Sequence, residues 1–72
     1  MSSFNFDYEI KFTNVFDASL INVPDKNDTL VSSIQAEFNK LSSVMSLHSG
    51  INLMTTFLEY NSKNYKITLE KL

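Results

Sequence analysis

The sequence predicts an α+β fold, in which one long amphipathic helix packs on a three- or four-stranded, mainly antiparallel sheet. Two stretches alternate apolar and polar residues with a period of two, which is typical of half-buried strands. A stretch between them repeats apolar residues every three or four positions, which is typical of an amphipathic helix. The predicted order is β(β)αββ, and the 72 residues form one small domain, 1–72.

The first strand is predicted at residues 4–13. Apolar and mostly aromatic side chains occupy every second position there, with polar residues between them. The apolar set is Phe4, Phe6, Tyr8, Ile10 and Phe12. Since successive side chains of a strand point to opposite faces, we expect this set to meet the core and the polar set to meet solvent.

The segment that follows allows two interpretations. Residues 18–23 have the apolar character of a short strand, but an irregular packed loop is equally compatible with them. Pro24 ends any pairing because proline lacks the backbone N–H that a sheet ladder requires.

The helix is predicted at residues 28–49, with Asn27 or Asp28 as its N-terminal cap. Gly50 stands where a left-handed residue commonly follows the last helical turn. The apolar stripe consists of Val31, Ile34, Phe38, Leu41 and Met45. This stripe also fits coiled-coil core positions, but its short length between strands favours one buried face of a domain helix.

The C-terminal residues predict a β-hairpin, because two alternating runs flank the polar residues 61–64. A four-residue turn there gives the cross-strand pairs Tyr60 with Tyr65, Leu58 with Ile67, Thr56 with Leu69, and Glu59 with Lys66. The first three pairs share the face that meets the helix, and the charged pair lies on the outer face.

A chain of this length buries a small core, so we expect its stability to depend on close packing or on oligomerisation, most simply as a homodimer. Cysteine is absent, which excludes disulfides as the compensating feature. The predicted core consists of Phe6, Tyr8, Ile10, Ile34, Phe38, Leu41, Met45, Leu58, Ile67 and Leu69.

The residues give no pattern for catalysis, a metal or a cofactor. The single glycine excludes a glycine-rich phosphate loop. A calcium loop beginning at Asp25 would need Gly and Glu where Leu30 and Ala36 stand. His48 is the only histidine, and we interpret it as a residue of the helix end. We therefore expect a non-enzymatic protein without cofactors.

The charges disfavour nucleic acid as the ligand, although one alternative stays open. The net charge is −2 and arginine, the usual reader of phosphates and guanine edges, is absent. The alternative is a nucleic-acid-binding module in which Lys63, Lys66 and Lys71 act with the hairpin aromatics. Asp7 and Glu9 also raise the idea of phosphate mimicry, which the modest net charge disfavours.

The function predicted from the sequence is binding to another protein. On the outer face of the hairpin we expect an interface formed by Leu53, Phe57, Glu59 and Leu72. The chain shows neither a leader pattern nor a membrane-length apolar run, so we expect a cytoplasmic protein. The abundance of Asn, Ser and Lys favours an AT-rich genome, and we expect a regulator or inhibitor encoded by a phage or mobile element.

Overall fold

One helix packs on one face of a three-stranded mixed sheet. The computed structural model describes residues 5–17, 23 and 26–72. The elements are β1 (Tyr8–Thr13), α1 (Asp28–Leu47), β2 (Leu53–Tyr60) and β3 (Lys63–Glu70). The strand order is β1-β3-β2, with β1 parallel and β2 antiparallel to the central β3. The α+β class is confirmed, with a mixed sheet in place of a mainly antiparallel one because α1 carries the chain past β3.

The first strand begins later than predicted, at Tyr8 rather than at residue 4. Residue 4 lies outside the described residues, and Asp7 forms a bend. The Asp7 carboxylate accepts a hydrogen bond from the backbone N–H of Asn64 at 2.8 Å. This bend interrupts the alternation, so Phe6 is 43% exposed and its prediction as a core residue was wrong.

After β1 the chain folds back over the core. Asn14 has a positive φ of 67°, a conformation that asparagine adopts more readily than most residues. Phe16 then stacks on Phe12, with ring centroids 5.1 Å apart. Val23 is buried and lies in no strand, while residues 18–22 of the predicted short strand lie outside the described residues.

The helix begins where it was predicted and ends slightly earlier. Asn27 is the N-cap, and its Oδ1 accepts a hydrogen bond from the backbone N–H of Leu30 at 2.9 Å. The buried helical residues are Leu30, Ile34, Phe38, Leu41 and Met45. The extended His48 ends the helix, and its carbonyl accepts from the N–H of Ile51 at 3.0 Å. The prediction of a left-handed Gly50 was wrong, since no described glycine has a positive φ.

The variant Gly50→Ala is therefore expected to be more stable than the wild type. The backbone at Gly50 does not need glycine, and a Cβ added there meets no atom within 4 Å. Alanine reduces the conformational entropy of the unfolded chain, which should stabilise the fold by about 0.4–1 kcal/mol. Urea denaturation followed by circular dichroism measures this change. A loss of stability would show that the residue requires a left-handed backbone after all.

The hairpin has a shorter turn than predicted, so the predicted register was wrong by two residues. Asn61 and Ser62 both have a positive φ, of 52° and 63°, as a two-residue type I′ turn requires. The observed pairs include Tyr60 with Lys63, Leu58 with Tyr65, Thr56 with Ile67, Met54 with Leu69, and Glu59 with Asn64. A shift of two residues keeps every side chain on its predicted face, because side chains alternate with a period of two.

The core lies between α1 and the sheet face that α1 covers. Of the predicted core residues, Ile10, Ile34, Phe38, Leu41, Met45, Ile67 and Leu69 are buried. Tyr8 and Leu58 are half-buried at its margin. The described core also contains Phe12, Val23, Leu30 and Tyr65. Three aromatic rings fill its end near β1, where Phe38 meets Phe12 and Phe16 edge-on.

Candidate binding surface on the outer face of the sheet

The outer face is the side of the sheet that α1 does not cover. It is formed by the residues that alternate with the core residues along each strand. They are Glu9, Lys11 and Thr13 of β1, Lys66, Thr68 and Glu70 of β3, and Leu53, Thr55, Phe57 and Glu59 of β2. The period of two that buries the core residues thus places these side chains together on the opposite side.

The four residues predicted as an interface lie along this face. Leu53, Phe57 and Glu59 are exposed outer-face residues of β2, and Leu72 follows β3 at the end of the sheet near Leu53. The exposed fractions are 57% for Leu53, 38% for Phe57 and 86% for Leu72. The backbone N–H of Leu72 donates to Asn14 Oδ1 at 3.0 Å, which fixes this tail against the end of β1.

Near the middle of the face a lysine lies beside two aromatic rings. Lys66 is directly opposite Phe57 on the neighbouring strand. Its Nζ lies 5.2 Å from the ring centroid of Phe6 and 3.5 Å from a carboxylate oxygen of Glu9. The sequence reasoning missed Phe6 as a surface residue; the turn-forming Asp7 beside it was the available signal.

Most polar groups of this face are paired with one another. Lys11 forms an ion pair with Glu70 at 3.4 Å, in addition to the pair of Lys66 with Glu9. The hydroxyl groups of Thr55 and Thr68 share a hydrogen bond of 3.1 Å, although Thr68 is buried. Exposed ion pairs of this kind contribute at most about 1 kcal/mol each. Their effect here is to neutralise the face, so that its exposed apolar groups dominate its binding character.

The three lysines of the nucleic-acid alternative do not share one face. Lys66 belongs to the outer face, whereas Lys63 and Lys71 have the opposite parity and stand at opposite ends of β3. Eight residues of strand separate these two by about 27 Å. The hairpin tyrosines are also engaged, because Tyr65 is buried and the hydroxyl of Tyr60 donates to Asn27 Oδ1 at 3.2 Å.

The described residues show no constellation for chemistry. His48 is an exposed residue at the helix end. In residues 5–17, 23 and 26–72, no three histidine or acidic side chains stand together as a metal site would need. No helix in the same part of the chain has the length and apolar character required to cross a membrane.

Comparisons with known proteins leave the outer face as the guide to function. No family model matches the chain, and no curated protein or solved structure is significantly similar to it. What the chain binds is therefore inferred from its exposed groups and their chemistry.

Proposed function

We propose that this chain is a small non-enzymatic regulator or inhibitor that binds another protein through the outer face of its sheet. The observation that carries the proposal is the exposure of Leu53, Phe57 and Leu72 on one face. Exposed apolar clusters on small domains often mark protein interfaces. Aromatic residues are enriched in interface cores, while unpaired charges are depleted there.

The contact would have an aromatic centre and an aliphatic end. The rings of Phe6 and Phe57 lie near Lys66, whose charge is balanced by Glu9. An apolar side chain of the partner can cover these rings without leaving a charge unpaired, which is the main cost of burying a charged surface. A face of three strands, about 27 Å long and 14 Å wide, is small for a specific interface and suits a reversible regulatory contact.

The proposal includes the setting that the composition favours. Asn, Ser and Lys are abundant and arginine is absent, which supports an AT-rich source such as a phage or another mobile element. A regulator of this kind would act on a host or phage protein in the cytoplasm.

A pull-down of the tagged full chain from its native host tests the proposal. The wild type is expected to recover a stoichiometric protein partner, and Phe57→Glu is expected to reduce that recovery at least tenfold by placing a charge in the contact. Asn39→Glu is the matched control, because it adds the same charge at an exposed position of α1, on the other side of the molecule. Recovery should be unchanged by nuclease treatment.

The same samples test the nucleic-acid alternative. Recovery that disappears with nuclease would overturn the proposal. Micromolar binding to random single-stranded oligonucleotides that weakens steeply with salt would do the same. In that case the simultaneous replacement of Lys63, Lys66 and Lys71 by glutamine should abolish binding.

A further inference from the structure

The edge strand β2 has few of the features that normally prevent a strand edge from pairing. Residues 53–58 contain neither a charge nor a proline, and Glu59 is the only charged residue of the strand. The other edge strand, β1, carries Glu9 and Lys11. Within residues 5–17, 23 and 26–72, no strand pairs with the far side of β2. Long, uncharged edges of this kind readily accept another strand.

The backbone groups that point away from β3 can be assigned from the hairpin. In a two-residue hairpin the flanking pair, Tyr60 and Lys63, exchanges hydrogen bonds, and bonded pairs then alternate along the ladder. The bond from Lys71 N–H to the Asn52 carbonyl, at 2.8 Å, continues the same even-numbered series. The odd-numbered residues Leu53, Thr55 and Glu59 therefore direct their N–H and C=O groups towards the open edge.

We propose that a second copy of the chain occupies this edge, with the two β2 strands antiparallel about a two-fold axis at Thr56. The two sheets of three strands would then form one continuous sheet of six. This register places Leu53 of each copy opposite Glu59 of the other, so that the whole strand is paired and no like charges face each other. The inference rests on the proposed function in one respect, that the chain acts by binding protein.

The helix supplies the charge complementarity that favours a second copy over an unrelated strand. The hydroxyl of Thr56 donates to Glu37 Oε1 at 3.4 Å, which places Glu37 on the side of α1 nearest the open edge. Lys40 lies on the same side, with its Nζ 3.1 Å from Glu37 Oε2. We call this pair the helix flank.

A two-fold axis perpendicular to the sheet brings the two helix flanks together. Both helices then lie on the same side of the continuous sheet and run antiparallel. Since α1 contacts β2 and β3, the two helix axes would be about 10 Å apart, which is a normal packing distance. Glu37 and Lys40 of one copy would then face Lys40 and Glu37 of the other, and their charges would be complementary.

Sedimentation equilibrium of charge variants tests the dimer. The wild type is expected to be dimeric at micromolar concentration. Lys40→Glu should raise the dissociation constant about tenfold, because two attractive contacts become repulsive. The double variant Glu37→Lys, Lys40→Glu should return it to near the wild-type value. Lys71→Glu, with the same charge change at an exposed position away from the flank, should leave it unchanged.

Cysteine cross-linking tests the register, since the chain has no cysteine of its own. Two Thr56→Cys chains would meet on the axis as a non-hydrogen-bonded pair, with Cα atoms about 4.5 Å apart, within disulfide range. Mild oxidation should link Thr56→Cys rapidly and Leu53→Cys slowly. A wild type that stays monomeric at high micromolar concentration would overturn the proposal, as would a dimer indifferent to Lys40→Glu or linked faster through Leu53→Cys.

The dimer and the proposed function can fail separately. Lys40 is 70% exposed on α1, so Lys40→Glu leaves the outer face of the sheet unchanged. A protein partner that is recovered by this variant and lost with Phe57→Glu would support the proposed function even if the chain proves monomeric. A charge-sensitive dimer without any recovered partner would support the dimer alone.

Discussion

Phe38→Ala is expected to lower the free energy of unfolding by about 3–5 kcal/mol. Phe38 is only 8% exposed and lies where α1 meets the end of the core near β1. Its ring packs edge-on against Phe12 and Phe16, with centroid distances of 5.3 and 5.6 Å. Alanine would remove both aromatic contacts and leave a cavity that the small core cannot easily refill.

For a domain whose total stability is about 5–10 kcal/mol, this loss approaches complete unfolding. Urea denaturation followed by circular dichroism would measure it, with Phe6→Ala as the matched control. Phe6 belongs to the same alternating run in the sequence but is 43% exposed, so its truncation should cost less than about 1 kcal/mol. Equal losses for the two variants would contradict the positions that the structure gives these rings.

The contrast between Phe6 and Phe38 illustrates what the sequence can predict. The helix stripe around Phe38 depends only on local periodicity, and its prediction is confirmed. Phe6 obeys the strand periodicity equally well, yet it leaves the core because Asp7 bends the chain. That bend is held by a hydrogen bond to Asn64, which is far away in the sequence. A contact of this kind leaves no periodic signal.

The hairpin shows a second limit of the same kind. The polar residues 61–64 favoured a four-residue turn, but Asn61 and Ser62 suffice because their left-handed backbone matches the twist of the strands. The faces survived this error because the shift was even, so Leu53 and Phe57 lie on the predicted outer face. The position of β1 beside β3 could not be predicted, since the helical crossover allows either edge of the hairpin.

Asn27→Ala is expected to lower the free energy of unfolding by about 2 kcal/mol, at the upper end of the range for a lost N-cap. The extended backbone of Asn27, with φ of −146° and ψ of 172°, directs its side chain towards the first helical turn. Its Oδ1 accepts from the N–H of Leu30 at 2.9 Å and from the hydroxyl of Tyr60 at 3.2 Å. One oxygen therefore caps α1 and joins it to the end of β2.

Chemical denaturation of a double-mutant cycle separates these two roles. Asn27→Asp is the control, since it keeps an acceptor oxygen and adds a negative charge at the positive end of the helix, so its stability should stay within about 0.5 kcal/mol of the wild type. Tyr60→Phe should cost about 0.5–1 kcal/mol in the wild type and much less in Asn27→Ala. A coupling near zero would show that the capping bond alone stabilises the helix start. A clear coupling would show that the cap also holds α1 in position over β2, where the helix flank meets the open edge of the sheet.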